Sequence, residues 1–431
     1  MNKLSLFQED GGAGVTIDLN DRVECVLLNE FIPNTPTDES GTVTDQCQVQ
    51  LRGVNGRLTI DKINRMFQLA REKPTGGPAV FLNFAVHGNE VVYRTRVVDG
   101  IISIEKGYSM GYKIGRLVIT IAFEHLPYWE GPEAQIPLTN ENGTANTTGL
   151  VVYNTNDMTG TAPTKRVNYV KMAAASVLGS IPTPPRIEIT NTYSNGQARL
   201  SNIWIGRAID EAAYPLTWFL DQTMALNQVL DTEAQISLTT LTTAFLNGAN
   251  GGHYRVFTKM ASGYQDLRLN AGLYFPASVA LTPMQKAPEV VTGLNGIVDL
   301  GTLQIPPWLP NMRGQTEIGL RIGGRRPGGF NVTLYDIFLF PANAFRQLIP
   351  RGYGIATGIR LVDDGITDTV WTDGWTPAGK SGHYSGYGEL ITLVPGKDQR
   401  LLFLNNTMTS GVDDAQTMTI KLFYRPRRLM P

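Results

Sequence analysis

The sequence predicts a mainly β protein with a single amphipathic helix near the N-terminus. Short segments of alternating apolar and polar residues recur along the chain, which is typical of strands buried on one face. The chain also contains 45 Gly and 25 Pro, residues that favour turns between short strands. Only 17% of the residues are charged, against roughly 25% in an average globular chain. This deficit indicates that much of the surface is buried against partners.

Residues 1–135 are predicted to form an α+β domain. In TIDKINRMFQLARE (59–72), apolar residues including Ile63 and Phe67 recur at helical spacing, which predicts an amphipathic helix. We expect this helix to cover the sheet or to pack between neighbouring copies. Strands are expected at 15–31, 43–54, 80–86, 91–98, 101–104 and 117–123.

The first domain is predicted to end at the aromatic pair Tyr128-Trp129, which precedes Gly131-Pro132. Tyr and Trp bury large areas while keeping a polar group for a wet edge. Tyr128 and Trp129, together with Ile63 and Phe67, are therefore the predicted oligomer interface. An ordinary strand followed by a surface loop is the alternative interpretation of this stretch.

Residues 136–350 are predicted to form a β-sandwich or jelly roll, because short strands alternate with turn signals. The polar segment 139–165 is a loop or a hairpin that could reach along an adjacent subunit, and 208–247 fits helix or strand. The predicted strands are 186–191, 198–205, 254–260, 267–275, 317–322 and 331–340.

Residues 351–431 are predicted to be a C-terminal β extension. Its first part, 351–389, is expected to be irregular. Three short strands cannot form a core of their own, so we expect them to complete a sheet of another part of the chain or of a neighbour. These strands are 390–394, 401–405 and 418–424.

No motif in the chain predicts catalysis, a cofactor or a metal. Residues 374–381 match the phosphate-loop pattern GxxxxGK[ST], but the Gly-rich residues that follow cannot begin the helix that such a loop requires. Asp363-Asp364-Gly365 is predicted to be a solvated turn, with a calcium-binding loop as the alternative. Cys25 and Cys47 are expected to be buried free thiols.

Tryptophans in the predicted sandwich provide a second functional option, since jelly rolls often bind sugars through exposed aromatic rings. Burial in the core or in an interface is the alternative for these side chains. The candidate glycan contacts are Trp204, Trp308, Trp371 and Trp375. Arg321 and the basic end 425–428 could bind phosphate or acidic neighbours, although Arg-rich turns are also common at protein interfaces.

The formal net charge of −1 disfavours a dedicated DNA-binding protein. No window approaches the roughly 20 apolar residues that cross a bilayer. The N-terminal apolar patch meets Glu9-Asp10 too early for a secretory signal. We therefore expect synthesis in the cytosol and no membrane span.

The N-terminal order of strands, Pro-rich connection, helix and strands ending in LPYWEGPE (126–133) resembles phage and prophage tail proteins of the distal-tail type. Further similar segments are IPTPP (181–185), YDIFLFP (335–341) and LVPGK (393–397). The resemblance implies a tube-like N-terminal domain that assembles into a ring, and an outward sandwich that is galectin-like or carbohydrate-binding-like. The large C-terminal region departs from compact members of that family.

The resulting hypothesis is a structural virion protein and not an enzyme. It would form a trimeric or hexameric ring at the end of a phage tail, contact tail-tube, tape-measure and tail-tip or baseplate proteins, and pass DNA without reading its sequence. A host-glycan-binding tail component is the first alternative. A cell-wall hydrolase and a capsid or decoration protein are the others.

Overall fold

The computed structural model describes the chain in segments, and all structural statements below concern these. They are 3–9, 14–36, 40–52, 56–72, 79–86, 88, 91–106, 116–145, 147–162, 164–193, 199–209, 217–226, 234–242, 252–260, 266–275, 283–292, 296–306, 317–328, 331–350, 354–373, 384–407 and 416–431. Within them the protein is mainly β with one α-helix, as predicted.

The chain forms two compact units. Unit 1 consists of Met1–Ala134, Leu178–Thr183 and Arg425–Pro431, and unit 2 of Gln135–Val177 and Pro184–Tyr424. Unit 1 is therefore assembled from three separate stretches of chain, the last of which is the C-terminus. The domain boundaries that the sequence predicts, after residues 135 and 350, stay predictions.

Unit 1 contains a nine-stranded antiparallel sheet and α1, Gly56–Glu72. Its strands are β1 (Lys3–Gln8), β2 (Val15–Asp18), β3 (Cys25–Leu27), β4 (Val43–Arg52), β5 (Val80–Ala85), β6 (Tyr93–Lys106), β7 (Arg116–His125), β8 (Trp129–Glu130) and the C-terminal β31 (Arg427–Arg428). The main path is β2-β1-β5-β6-β7-β4-β3. Its two ends are consecutive strands joined by residues 19–24, a connection that spans at most about 25 Å. The sheet therefore curls toward closure.

The helix lies where its apolar spacing predicts, although it begins three residues earlier than 59–72. Ile63, Met66, Phe67 and Ala70 face the sheet and are buried. Phe67 packs edge-on against Phe123 of β7, with ring centroids 6.0 Å apart. The helix thus covers one face of its own sheet.

Three features of unit 1 differ from the predicted strands. The segment 15–31, predicted as one strand, forms the two short strands β2 and β3, because residues 19–24 make a turn in which Asp21 accepts backbone hydrogen bonds. The segments 91–98 and 101–104 form one long strand, β6, because register shifts near Val97 and Ile104 let it bend and continue pairing with β7. Strand β1 was not predicted, since its six residues are too few to show a clear alternation.

Unit 2 begins with a sandwich of two sheets around one apolar core. The seven-stranded sheet has the order β11-β10-β13-β29-β15-β25-β28, and the six-stranded sheet is β12-β30-β14-β26-β27 with β9 on β30. The strands are β9 (Ala134–Gln135), β10 (Leu138–Asn140), β11 (Gly143–Ala145), β12 (Leu150–Tyr153), β13 (Tyr169–Met172), β14 (Arg186–Asn191), β15 (Leu200–Ile209), β25 (Phe345–Pro350), β26 (Arg360–Asp364), β27 (Thr369–Thr372), β28 (Tyr384–Gly388), β29 (Gln399–Thr407) and β30 (Thr417–Tyr424).

A second pair of sheets is inserted between β15 and β25. Its orders are β16-β24-β18-β22 and β17-β23-β19-β20, with β21 on β19. The strands are β16 (Thr217–Ala225), β17 (Ala234–Thr242), β18 (Gly252–Met260), β19 (Arg268–Tyr274), β20 (Gln285–Lys286), β21 (Val290–Val291), β22 (Ile297–Ile305), β23 (Glu317–Arg325) and β24 (Asn331–Pro341). Single 3₁₀ turns lie at Ala174–Ser176 and Ala342–Ala344.

The C-terminal strands are central members of the first sandwich. β29 pairs with β13 and β15, and β30 pairs with β12 and β14. Leu401 and Phe403 of β29 enter the sandwich core, whereas Leu402 and Leu404 enter the core of the inserted sheets. Residues 401–404 are therefore continuously apolar, because both faces of β29 are buried. The segment 351–389, expected to be irregular, contains β26, β27 and β28, and no strand forms at 390–394.

Candidate assembly surface

Exposed apolar side chains are concentrated on unit 1. Twelve of the seventeen large hydrophobic side chains that are exposed among the described residues belong to it, although unit 2 is the larger unit. They are Val15, Val23, Leu28, Ile32, Leu58, Val86, Val91, Val92, Ile101, Ile104, Leu178 and Met430. Exposed apolar side chains mark a surface that a partner covers where they form a contiguous patch.

Strand β2 has an unpaired outer edge. The Leu19 N–H donates to the Leu4 carbonyl, which makes Ile17 and Val15 the residues that exchange hydrogen bonds with β1. The backbone groups of Thr16 and Asp18 therefore point away from the sheet. Within the described part of the chain they have no hydrogen-bond partner. Such an edge is a template for another strand.

Strand β3, at the other end of the path, has its outer edge closed by its own preceding turn. The Cys25 N–H donates to Asp21 Oδ1 at 2.9 Å, and the Leu27 N–H donates to Asn20 Oδ1 at 3.3 Å. The Cys25 carbonyl accepts from the Arg22 N–H. Because these groups are satisfied locally, β3 is a poor template for an added strand.

Four exposed apolar side chains lie in β2 or close to β3 along the chain, and we call them the edge patch: Val15, Val23, Leu28 and Ile32. Val23 is 75% exposed and Ile32 is 73% exposed. Val23 belongs to the acidic turn that closes β3, and Ile32 opens the Pro-rich connection to β4. Sequence reasoning missed both, because an isolated apolar residue in a polar turn has no periodicity.

The sheet face opposite α1 carries no charged side chain in its two central rows. Gln46 of β4 lies beside Ala122 of β7 and Ile101 of β6, and the next row is Gln48, Thr120 and Ser103. All six side chains are at least partly exposed. Charge enters at both ends of the face. At one end Glu124 accepts a hydrogen bond from Thr42 at 2.6 Å, and at the other the exposed Arg52 of β4 lies opposite Arg116 of β7.

A buried carboxylate joins the C-terminus to the body of unit 1. Glu130 is 6% exposed, and its Oε1 accepts from Arg427 Nε and Nη2 at 3.1 and 2.9 Å. Arg94 donates to Oε2 at 3.3 Å. The Arg427 guanidinium also lies over the Tyr128 ring, and burial raises the pKa of that phenol. These contacts hold β31 on β8.

The structure places the predicted interface residues inside unit 1. Ile63, Phe67 and Trp129 are each 1% exposed or less and belong to its core, and Tyr128 is half-buried under Arg427. Their apolar faces are covered by their own sheet, so they are not available to a neighbour. The apolar side chains of the edge patch, in contrast, are exposed.

The predicted glycan contacts differ in accessibility. Trp204 is 3% exposed and packs against Phe257, with ring centroids 5.4 Å apart, so its ring offers no face to a sugar. Trp371 is half-buried, with the Arg360 guanidinium 5.6 Å from its ring centre. Trp308 and Trp375 lie outside the described residues, as does the phosphate-loop match at 374–381.

The other candidate binding residues of the sequence have structural partners. Asp363 is 2% exposed and pairs with Arg346 at 2.8 Å, and Asp364 Oδ1 accepts from the Ile366 N–H in a turn. Arg321 is 8% exposed and stacks on Tyr274. Among the described residues, no three His, Cys, Asp or Glu side chains cluster as metal ligands would. No described helix has the length and apolar character needed to span a membrane.

Comparison with known proteins identifies no family for this chain. No family model and no curated protein matches the chain. Two similar solved structures are of the phage p2 baseplate in its activated conformation, one with Sr and one with Ca. They share 10% and 11% identity with this chain, with TM-scores of 0.26 and 0.25. Each match covers 78% of this chain and 98% of the other. Backbones that superpose this poorly do not establish a common fold.

Proposed function

We propose that this chain is a structural virion protein whose unit 1 assembles copies into a ring at the distal end of a phage tail. The observation that carries the proposal is the concentration of exposed apolar side chains on unit 1, beside an open strand edge. A ring requires a contact between two different patches of the same chain. We propose the open edge of β2 as one patch and the exposed side chains of Val23, Leu28 and Ile32, near β3, as the other.

The uncharged central rows of this sheet face suit the wall of a channel for DNA. Lys and Arg side chains bind the phosphate backbone whatever its sequence, so a passage for DNA has to keep them off its wall. The central rows, from Gln46 to Ile101 and from Gln48 to Ser103, carry none. We assign this face to the lumen. Tail-tube, tape-measure and tail-tip or baseplate proteins would be the neighbours along the tail axis.

A pair of variants tests the assembly. Val23→Asp with Ile32→Asp places two charges in the edge patch at positions that are 75% and 73% exposed, so unit 1 keeps its fold. The matched control is Val151→Asp with Val291→Asp, at positions of unit 2 that are 37% and 61% exposed. We expect closed rings from the natural chain and the control, and at least a tenfold weaker association of the edge-patch variant, because an unpaired charge is costly to bury.

Light scattering after gel filtration and particle images give the readout. Rings of unchanged size and stability from the edge-patch variant would show that these side chains lie outside the contact. A natural chain that stays monomeric at every concentration reached would remove self-assembly from the proposal.

A further inference from the structure

We infer that unit 2 contains a saccharide-binding cleft on the outer face of its seven-stranded sheet. The cleft has a volume of about 280 Å³ and is lined by Thr139, Lys171, Met172, Ala173, Asp398 and Arg400. None of these lining residues belongs to unit 1 or is one of the predicted tryptophan contacts. It adds ligand recognition to the proposed structural role.

Strand register brings the polar side chains of the cleft together. Thr139 of β10 is the cross-strand partner of Lys171 of β13, and Lys171 is the partner of Arg400 of β29. The three side chains therefore form one row across adjacent strands. Further along the same face Leu402 and Leu404 are covered by the inserted sheets, whereas Arg400 remains half-exposed.

The two cations of the row have different surroundings. Lys171 donates to Glu141 at 2.5 Å, and the Tyr169 hydroxyl donates to the same oxygen at 2.9 Å, so the ammonium is neutralised. Arg400 stacks on the Tyr169 ring at 4.3 Å. No carboxylate of a described residue lies within 4.0 Å of its guanidinium nitrogens. The N–H donors of the Arg400 guanidinium lie in one plane, and Arg400 lines the cleft. Among the described residues, none accepts a hydrogen bond from them.

An acceptor is fixed on the other side of the cleft. Asp398 Oδ1 accepts from the Ala174 N–H at 2.7 Å, and the side chain is exposed, which leaves Oδ2 for a ligand. The buried Gln399 holds the preceding turn by bonding both the N–H and the carbonyl of Val394 at 2.8 Å. Asp398 is thereby positioned before any ligand binds.

This combination favours a neutral, hydroxyl-rich ligand. The charges of Lys171, Glu141, Asp398 and Arg400 sum to zero, and the two carboxylates would repel a phosphate. A sugar hydroxyl donates and accepts at once, so it can bridge the guanidinium and the carboxylate. The exposed methyl group of Ala173 supplies the apolar contact that such pockets combine with a few fixed polar groups.

Binding of defined sugars by the full chain tests the site. The probes are neutral mono- to tetrasaccharides of glucose, galactose, rhamnose, N-acetylglucosamine and N-acetylgalactosamine on an array, followed by calorimetric titration of the best one, with inorganic phosphate as a competitor. We expect Arg400→Gln and Asp398→Asn each to weaken that binding at least tenfold, and phosphate not to compete. The matched control is Arg428→Gln, an exposed arginine over the Tyr93 ring in unit 1, which leaves binding unchanged.

Three results would overturn the inference. They are an array on which the natural chain binds none of these sugars, sugar binding that survives both cleft variants, and phosphate binding that Arg400→Gln abolishes, since that identifies an anion site. Thermal unfolding of each variant distinguishes a loss of binding from a loss of the fold. A third variant, Thr139→Val, removes a hydroxyl group from the cleft with almost no change of side-chain volume. Ring assembly does not depend on any of these outcomes.

Discussion

The contact between Phe67 and Gly100 joins α1 to the sheet of unit 1 and permits a quantitative test. Phe67 is 1% exposed, and a Cβ atom added at Gly100 of β6 would lie inside 3.0 Å of three carbon atoms of its ring. Phe67→Ala removes the ring and should cost about 3–5 kcal/mol of the unfolding free energy of unit 1. Gly100→Ala overfills the same space and should cost about 1–3 kcal/mol.

The double variant distinguishes this contact from two independent effects. Once the ring is absent, the methyl group introduced by Gly100→Ala has room, and a strand alanine restricts the unfolded chain more than glycine does. Adding Gly100→Ala to Phe67→Ala should therefore cost nothing or stabilise by up to about 1 kcal/mol. The coupling between the two positions should equal at least the whole cost of Gly100→Ala.

Thiol labelling measures these changes in unit 1 alone. The chain has two cysteines, Cys25 and Cys47, and both are buried in the core of unit 1. Alkylation in the native state requires unit 1 to open, so its rate relative to the unfolded chain gives the opening free energy. Additive costs in the double variant would refute a steric conflict between Phe67 and Gly100.

The two remaining predictions also concern the stability of unit 1. Burial raises the pKa of both Cys25 and Cys47 to about 12 from the usual 9.0. The stabilisation from keeping these thiols protonated is full below pH 9 and falls by about 1.4 kcal/mol per pH unit for each thiol between pH 9 and 12. Replacing each cysteine in turn by alanine should reduce the pH slope in urea unfolding of unit 1 by about that amount per thiol, and an unchanged slope would contradict the assignment. Arg427→Ala leaves the buried Glu130 with Arg94 alone and should destabilise unit 1 by about 1–3 kcal/mol in the thiol-labelling assay, whereas Arg428→Ala, at an exposed position, should stay within about 0.5 kcal/mol. Equal effects of the two arginine variants would show that the Glu130 pairing does not hold the C-terminus.

Local patterns predicted the elements of the fold well where the periodicity was long. The spacing of Ile63, Phe67 and Ala70 fixed the helix and the face that it buries, because a helix returns to the same side every 3.6 residues. Alternation identified β4, β7, β14 and β30. Short or mixed patterns failed, as for β1 and for the strands of 351–389, since a few residues carry too little periodicity to stand out.

Almost none of the residues in the candidate sites could be identified from the sequence. Val23 and Ile32 are apolar residues in irregular segments, and only their exposure in the folded chain marks them. Arg400 and Asp398 become part of a cleft because β29 pairs with β13, which begins 230 residues earlier in the chain. No local pattern reports a pairing over such a distance.

The sequence by itself determined the β class, the single helix, the buried thiols and the low charge, because each of these follows from composition or from short-range periodicity. Only the tertiary structure decided what covers each apolar face. Ile63, Phe67 and Trp129 are as apolar as an interface would require, yet their own sheet buries them. The physical reason is that burial removes apolar surface from water whichever chain supplies the cover. Hydrophobic pattern therefore specifies that a face is buried, and three-dimensional packing specifies the partner.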